Sequence, residues 1–169
     1  MTRRALCFAT HLAHYERDPP EAESLASELI ELSTRQNFAF WRAAGEILRG
    51  WARSASGQTA EGISWIENGM GNWRATGSTI SRQFWLALKA EALHLADRTH
   101  EALEAIREAE RQAERSEEVW WCAELHRLHG VFLAAMGADE AEIEGAFCEA
   151  IRSAREQKSI SLATRAEAT

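Results

Sequence analysis

The chain of 169 residues contains ten glycines and two prolines, so residues that interrupt helices are scarce. Its two valines and single tyrosine are a thin supply of strand-forming side chains, which excludes an all-β fold, and a hydrophobic content of 46% excludes global disorder. The net charge of −7 argues against adhesion to nucleic-acid phosphates or to anionic lipid as a main activity. We therefore expect neither a nucleic acid nor a membrane as a partner.

The cysteines indicate the compartment. Cys7, Cys122 and Cys148 are an odd number at scattered spacing, which supports neither a disulfide framework nor a zinc ribbon. No apolar run approaches the roughly 18 residues that a membrane span requires. We expect a protein of the reducing cytoplasm.

The sequence repeats with a period of 40 residues. A shift of 40 aligns Phe8, Leu12 and Tyr15 with Leu48, Ala52 and Ala55, then with Leu88, Ala92 and Leu95, and finally with Leu128, Phe132 and Ala135. The spacing i, i+4, i+7 is that of an amphipathic helix, and it predicts that these columns face the core. A further column of small residues predicts close helix contacts: Thr10, Gly50, Ala90 and Gly130.

Turn signals divide each repeat into two helices. In chain order we predict helices at about 3–17, 20–36, 38–55, 59–75, 80–96, 99–115, 118–136 and 139–156, with a ninth beginning near Ser159. They form hairpins at about 1–36, 37–76, 77–116 and 117–157, followed by a partial capping helix at 158–169. The expected fold is a single all-α domain over residues 1–169, a right-handed α-solenoid of antiparallel helical hairpins.

Two stretches carry a family resemblance. Residues 40–51 read Phe-Trp-Arg-Ala-Ala-Gly-Glu-Ile-Leu-Arg-Gly-Trp, and residues 120–130 read Trp-Trp-Cys-Ala-Glu-Leu-His-Arg-Leu-His-Gly. Together with the small, large, small triplet Ala102, Ile106 and Ala109, they resemble tetratricopeptide repeats, although that repeat has about 34 residues. More narrowly, they resemble the C-terminal tetratricopeptide-like region of bacterial multidomain signalling ATPases, fused to class III adenylate or guanylate cyclase domains or to helix-turn-helix regulators.

The resemblance implies a regulatory or interaction segment and carries over no catalytic residue. It also implies a longer protein that continues beyond Thr169, where the ninth helix looks cut short. His129 departs from the family, which usually has lysine at that position.

Motifs for catalysis are missing from the sequence, which has no phosphate-binding loop, Gly-x-Ser-x-Gly elbow or His-Glu-x-x-His pair. We predict that the chain is not an enzyme and requires no cofactor. Cys122, His126 and His129 share one helical face at i, i+4 and i+7, which a metal could use. A closed zinc site normally needs four ligands and no fourth is evident, so packed or solvated histidines are favoured over a metal.

Basic side chains recur on one face of the first helices of the repeats: Arg42, Arg49, Arg53, Arg82, Lys89, His126 and His129. Trp51 belongs to a column of mixed polarity, typical of a groove wall, where an exposed tryptophan would anchor a partner. Helical repeat proteins bind through the concave surface of their first helices, and arginine binds carboxylates in a bidentate manner. These eight residues are therefore predicted to bind an acidic peptide, a protein segment or another domain of the parent chain in a concave groove.

Other interpretations stay open. The basic strip is also expected as a solvated face or as ion pairs with acids such as Glu46, and most of the seven tryptophans fill the core. From a different class, a small-molecule or metal-binding sensor or a small helical enzyme would use the tryptophans and the face from Cys122 to His129. A homo-oligomer is compatible with the sequence.

Overall fold

A computed structural model describes residues 2–116 and 118–169, so Met1 and Glu117, where two predicted hairpins begin, lie outside the described residues. Within these ranges the chain is all helical and contains no strand, which confirms the predicted all-α class. The helices are α1 (Arg3–Tyr15), α2 (Pro19–Arg35), α3 (Ala39–Ala55), α4 (Thr59–Ala75), α5 (Arg82–Leu95), α6 (Thr99–Ser116), α7 (Cys122–Ala135), α8 (Glu140–Glu156) and α9 (Ile160–Glu167). The largest departure from the predicted bounds is at α7, which begins four residues late because Val119–Trp121 form a 3-10 turn.

The chain divides into two compact units, Met1–Ile80 and Ser81–Thr169, which are described separately as the N-terminal and C-terminal units. In the N-terminal unit, α2 packs against α1, α3 against α2, and α4 against α3. In the C-terminal unit the same sequential packing runs from α5 to α8, and α9 packs against α8 and α7. Sequential contacts of this kind are those of a helical repeat. The single domain over residues 1–169 stays a prediction.

Most of the helices end in the same backbone conformation. A residue in the left-handed region, with φ between 55° and 90°, follows seven of them: Arg17, Asn37, Gly57, Gly77, Asp97, Gly137 and Lys158. After α2, for example, the Asn37 N–H donates to the Thr34 carbonyl at 3.2 Å and the Phe38 N–H donates to the Ser33 carbonyl at 2.9 Å. This double bond pattern is the Schellman motif, which satisfies the last carbonyl groups of a helix and reverses the chain.

Glycines set the closest helix contact in the N-terminal unit. A Cβ atom on Gly50 of α3 would lie 2.6 Å from the Gly62 carbonyl oxygen and 2.6 Å from Ile66 Cγ1, both on α4. The predicted close contact at this small-residue column is therefore confirmed at Gly50. The side chains beside this contact are large and fully buried, among them Ile47 and Ile66, so the short distance between the helices closes the core of the unit.

The first repeat departs from the predicted core pattern. Phe8 and Leu12 of α1 are 66% and 54% exposed, whereas Leu48 and Ala52, their equivalents on α3, are fully buried. Helix α3 packs against α2 as well as α4, and α1 packs on α2 and α3 with its other face. The expectation that Phe8 and Leu12 lie in the core is wrong because a repeated apolar position is buried only where a neighbouring helix covers it.

Candidate functional site

The predicted basic residues of α3 lie in the N-terminal unit, where acidic side chains of neighbouring helices pair with them. The Arg53 Nε donates to Glu23 Oε1 of α2 at 2.9 Å, and the same oxygen lies 3.6 Å from Arg49 Nε. Arg53 also pairs with Glu61 of α4 at 2.5 Å. Glu23 therefore brings Arg49 and Arg53 together, and an incoming carboxylate would compete with groups already in place.

The other side of each arginine is also occupied. The Arg49 guanidinium lies over the Trp65 ring, 4.7 Å from its centre, as a cation–π contact. Arg42 pairs separately, with its Nε 3.5 Å from Glu46 Oε1 one turn along α3. The ion-pair alternative raised for the basic strip is thus realised in this unit.

Trp51 corrects an expectation. Its side chain is 2% exposed, so it is not the exposed anchor of a groove wall. Its ring packs edge-on against the fully buried His14 of α1, with ring centres 4.4 Å apart. The mixed polarity of its column reflects buried polar contacts between helices rather than a groove, and a buried indole is not available to a partner.

In the C-terminal unit, Arg82 and Lys89 of α5 lie beside acidic residues of α6. The Arg82 guanidinium is 3.5 Å from Glu108. The pKa of Glu101 is lowered first by a hydrogen bond from Arg98 and further by the charges of Arg98 and Lys89, against a smaller opposing effect of burial. Both predicted residues are thus close to carboxylates, as expected for an ion-paired helix surface.

The predicted pair His126 and His129 on α7 converges on a single carboxylate. Glu110 Oε1 of α6 lies 3.2 Å from His126 Nδ1 and 2.9 Å from His129 Nδ1. Burial alone would raise the pKa of Glu110, but the hydrogen bonds and charges of the two histidines outweigh it and lower this pKa to about 2. Glu110 is therefore held as a carboxylate between two imidazole rings, an arrangement that is common in functional sites.

This cluster borders a cavity of about 420 Å³ enclosed by α6, α7 and α8. Its lining is mostly charged: the carboxylates of Glu110, Glu114, Glu142 and Glu149, the two imidazoles, and the guanidinium of Arg107. The volume falls within the range of ligand pockets. Four carboxylates against one guanidinium make the cavity an acceptor of cationic or hydrogen-bond-donating groups.

Cys122, the third member of the face considered for a metal, differs from the histidines. Burial raises the pKa of its thiol, and the charge of Glu110 raises it further. Across the two described ranges, no three His, Cys, Asp or Glu side chains are placed so that they could hold a metal ion. The geometry of this face is therefore that of a carboxylate–imidazole cluster.

Sequence reasoning missed Glu110 and the other acidic residues of the cavity. Glu110 follows Ala109 and lies one turn from Ile106, two fully buried residues of α6. A carboxylate at the edge of an apolar stripe is the signal that could have singled it out, because a half-buried charge needs a partner.

Comparisons with known proteins agree with this fold. No protein-family model matches the sequence. An uncharacterized protein of Rhizobium meliloti (strain 1021) is 24% identical over 154 residues, which are 91% of this chain. The chain spans about 15% of that relative's length.

Among solved structures, the chain is similar to Bacillus thuringiensis PlcR, crystallised in complex with the peptide PapR7 and DNA, with a TM-score of 0.74 and 17% identity over 97% of this chain and 68% of that one. The similarity confirms the tetratricopeptide-like helical-repeat fold that the 40-residue period predicted.

The same comparison corrects one expectation. Net charge led us to exclude nucleic acid as a partner, yet the solved structure with this fold contains DNA beside its peptide. A global net charge says nothing about how charge is distributed, so the exclusion was wrong. The fusion to cyclase or ATPase domains and the absence of catalysis stay predictions. Along the described residues, no helix is both long and apolar enough to cross a bilayer.

Proposed function

We propose that this chain is a regulatory interaction module that binds a peptide segment carrying a cationic side chain. The observation that carries the proposal is the acidic cavity between α6, α7 and α8, where the buried carboxylate of Glu110 is fixed by His126 and His129. A lysine or arginine side chain of the peptide enters this cavity. The PapR7 complex of a protein with this fold supports peptide as the ligand class.

The charge distribution within the cavity supports a cation over an anion. Glu114 and Glu142 line the cavity and are exposed, so they attract the incoming cation, while Glu110 lies deeper. The two histidines orient the Glu110 carboxylate and leave its second oxygen, Oε2, outside the two printed contacts, since both imidazoles bond to Oε1. A positioned carboxylate with rim acids around it recognises an ammonium or guanidinium group through charge-assisted hydrogen bonds.

The role of the module is regulation rather than catalysis. The resemblance to helical-repeat segments of bacterial signalling proteins supports this role, as does a fold shared with a protein that was crystallised with a peptide and DNA. Peptide occupancy of the cavity would couple α6, α7 and α8, and the module would report that occupancy to the rest of its signalling protein.

The experiment is selection of random heptapeptides on the immobilised chain, followed by affinity measurement of the enriched peptide by fluorescence anisotropy. The test variant is Glu114→Gln/Glu142→Gln, which removes rim charge and leaves the Glu110 contacts intact. The control is Glu101→Gln, an exposed acid of α6 outside the cavity lining. We expect lysine or arginine at a fixed position of the enriched peptide.

The double variant should bind that peptide about three- to tenfold more weakly, since each partly exposed charge pair contributes up to about 1 kcal/mol. The control variant should bind as the wild type does. Failure to enrich any peptide, or equal binding by the double variant, contradicts the proposal.

A further inference from the structure

The N-terminus of α3 differs from those of the preceding helices. Thr2 and Asp18 cap α1 and α2 by accepting hydrogen bonds from backbone N–H groups, whereas Phe38 precedes α3 and supplies no side-chain acceptor. The first N–H groups of a helix have no partner within the helix, and the helix dipole adds positive potential there. The 17-residue helix α3 therefore begins with donors that suit an anion.

A cavity of about 150 Å³ lies at this N-terminus, and Ser33, Asn37 and Arg42 are among the residues that line it. Ser33 is 1% exposed. Within residues 2–116 and 118–169, its Oγ has no hydrogen-bond partner. Other helical hydroxyl groups of this unit do have one: Thr34 and Ser54 each donate to the carbonyl four residues earlier.

A buried hydroxyl group without a partner is destabilising, so its presence on the wall of a cavity points to a ligand that accepts its proton. Ser33 is thus an observation independent of the helix N-terminus, and it concerns the same cavity.

The charges around the cavity are mainly positive. Arg42 lines it, and the guanidinium of Arg3 lies over the ring of Phe38, 3.7 Å from its centre. The acid closest to Arg42 is Glu46, at 3.5 Å from Nε, and the Asn72 amide donates to that carboxylate at 2.7 Å. Two guanidinium groups against one carboxylate favour an anionic ligand.

An adjoining cavity of about 410 Å³ gives the ligand its second half. It shares Asn37, Phe38 and Arg42 with the smaller cavity and adds the aromatic rings of Phe40 and Trp41, which pack edge-on at 5.1 Å. Both rings are only half buried. Aromatic walls beside a polar end are the usual arrangement of a site for an amphiphilic small molecule or peptide end.

We propose that this part of the N-terminal unit binds the carboxylate of an amphiphilic ligand. The carboxylate accepts hydrogen bonds from the first N–H groups of α3, from Ser33 Oγ and from Arg42. The apolar body lies against Phe40 and Trp41. The same chemistry is offered by a free organic acid and by the C-terminus of a peptide. The site belongs to the N-terminal unit, so the proposal does not rest on the cation-binding cavity of the C-terminal unit.

The test is a titration of the full chain, labelled for NMR, with N-acetylphenylalanine and, separately, with its amide, which has the same ring but no charge. We expect saturable shifts of the backbone amide signals of Ala39, Phe40 and Trp41 with the acid in the millimolar range, and none with the amide. Arg42→Gln should weaken binding about tenfold, because it removes a charge-assisted hydrogen bond. Ser33→Ala should weaken it several-fold.

Two matched variants serve as controls. Ser27→Ala changes a hydroxyl group on the same helix that already donates to the Glu23 carbonyl, and Arg35→Gln removes an exposed charge that pairs with Glu31. Both should bind the acid as the wild type does. Equal binding of acid and amide, no shift at Ala39 to Trp41, or unchanged binding by both Ser33→Ala and Arg42→Gln would overturn the proposal.

The source of the carboxylate is resolved by a further titration with a pentapeptide that ends in phenylalanine, as the free acid and as the amide. Tighter binding of the peptide acid than of N-acetylphenylalanine supports a chain terminus as the ligand. Equal binding of the two acids supports a free organic acid. Since these readouts do not involve α6, α7 or α8, their failure leaves the cation-binding cavity unaffected.

Discussion

Replacement of Gly50 by alanine should destabilise the N-terminal unit. The added Cβ would lie 2.6 Å from the Gly62 carbonyl oxygen and 2.8 Å from the Ile66 backbone nitrogen, both of which belong to the backbone of α4 and cannot rotate away. Helices α3 and α4 must then separate, which loosens the buried side chains between them. Overpacking of this kind costs about 3 kcal/mol, and the higher helix propensity of alanine recovers about 1 kcal/mol. The expected net loss is about 2 kcal/mol.

Gly71 provides the matched control for this prediction. It lies within α4 of the same unit, and a Cβ at this position would meet no atom within 4 Å. Gly71→Ala should therefore stabilise the protein by up to about 1 kcal/mol, through helix propensity alone. The difference between the two variants, about 3 kcal/mol, isolates the steric effect.

The assay is urea denaturation followed by helical circular dichroism and by tryptophan fluorescence, whose agreement would show that the unit unfolds in one step. Equal stabilities of the Gly50→Ala and Gly71→Ala variants would refute the close contact between α3 and α4. A stabilised Gly50→Ala variant would do the same.

Three further predictions concern buried polar groups. Since the pKa of Glu110 is about 2 in the folded protein and 4.5 ordinarily, its contribution to stability is present above about pH 4.5 and is lost as the pH falls toward 2; between about pH 6 and 3 the wild type should lose about 2 kcal/mol more free energy of unfolding than Glu110→Gln in urea titrations. Ser33→Ala should be more stabilising than Ser54→Ala by about 1 kcal/mol in thermal unfolding without ligand, because only Ser54 donates a hydrogen bond; the opposite order would count against an unpartnered Ser33. A thiol reagent should modify the exposed Cys148 in the native protein and reach Cys7, whose pKa burial raises to about 12, only after unfolding, as mass spectrometry of the labelled peptides would show.

The helices were predictable because their signals are local. A stripe at i, i+4 and i+7 and a turn signal every 20 residues or so need no knowledge of neighbouring helices, and α4 begins and ends where predicted, at Thr59 and Ala75. The exposure of Phe8 was not predictable from its column, since burial depends on whether another helix covers the position.

The site depended on non-local distances. Arg53 meets Glu23 across 30 residues of sequence, and His129 meets Glu110 across 19. Such pairs are fixed by the axial offset between neighbouring helices, which a single sequence does not state. The pattern found the basic residues and the two histidines, but their acidic partners and the small cavity at Ser33 appeared only with the packing of α2, α3, α6 and α7.

The left-handed turn residues stand at 17, 37, 57, 77, 97, 137 and 158, so the backbone repeats every 20 residues, with one extra residue before the last turn. The side chains repeat only every 40. An inherited duplication of about 20 codons would add a helix with a correct turn but with the wrong face toward its neighbour, whereas one of about 40 codons would preserve both turn and face. Such a gene can therefore lengthen smoothly only by whole hairpins, even though its backbone would accept single helices.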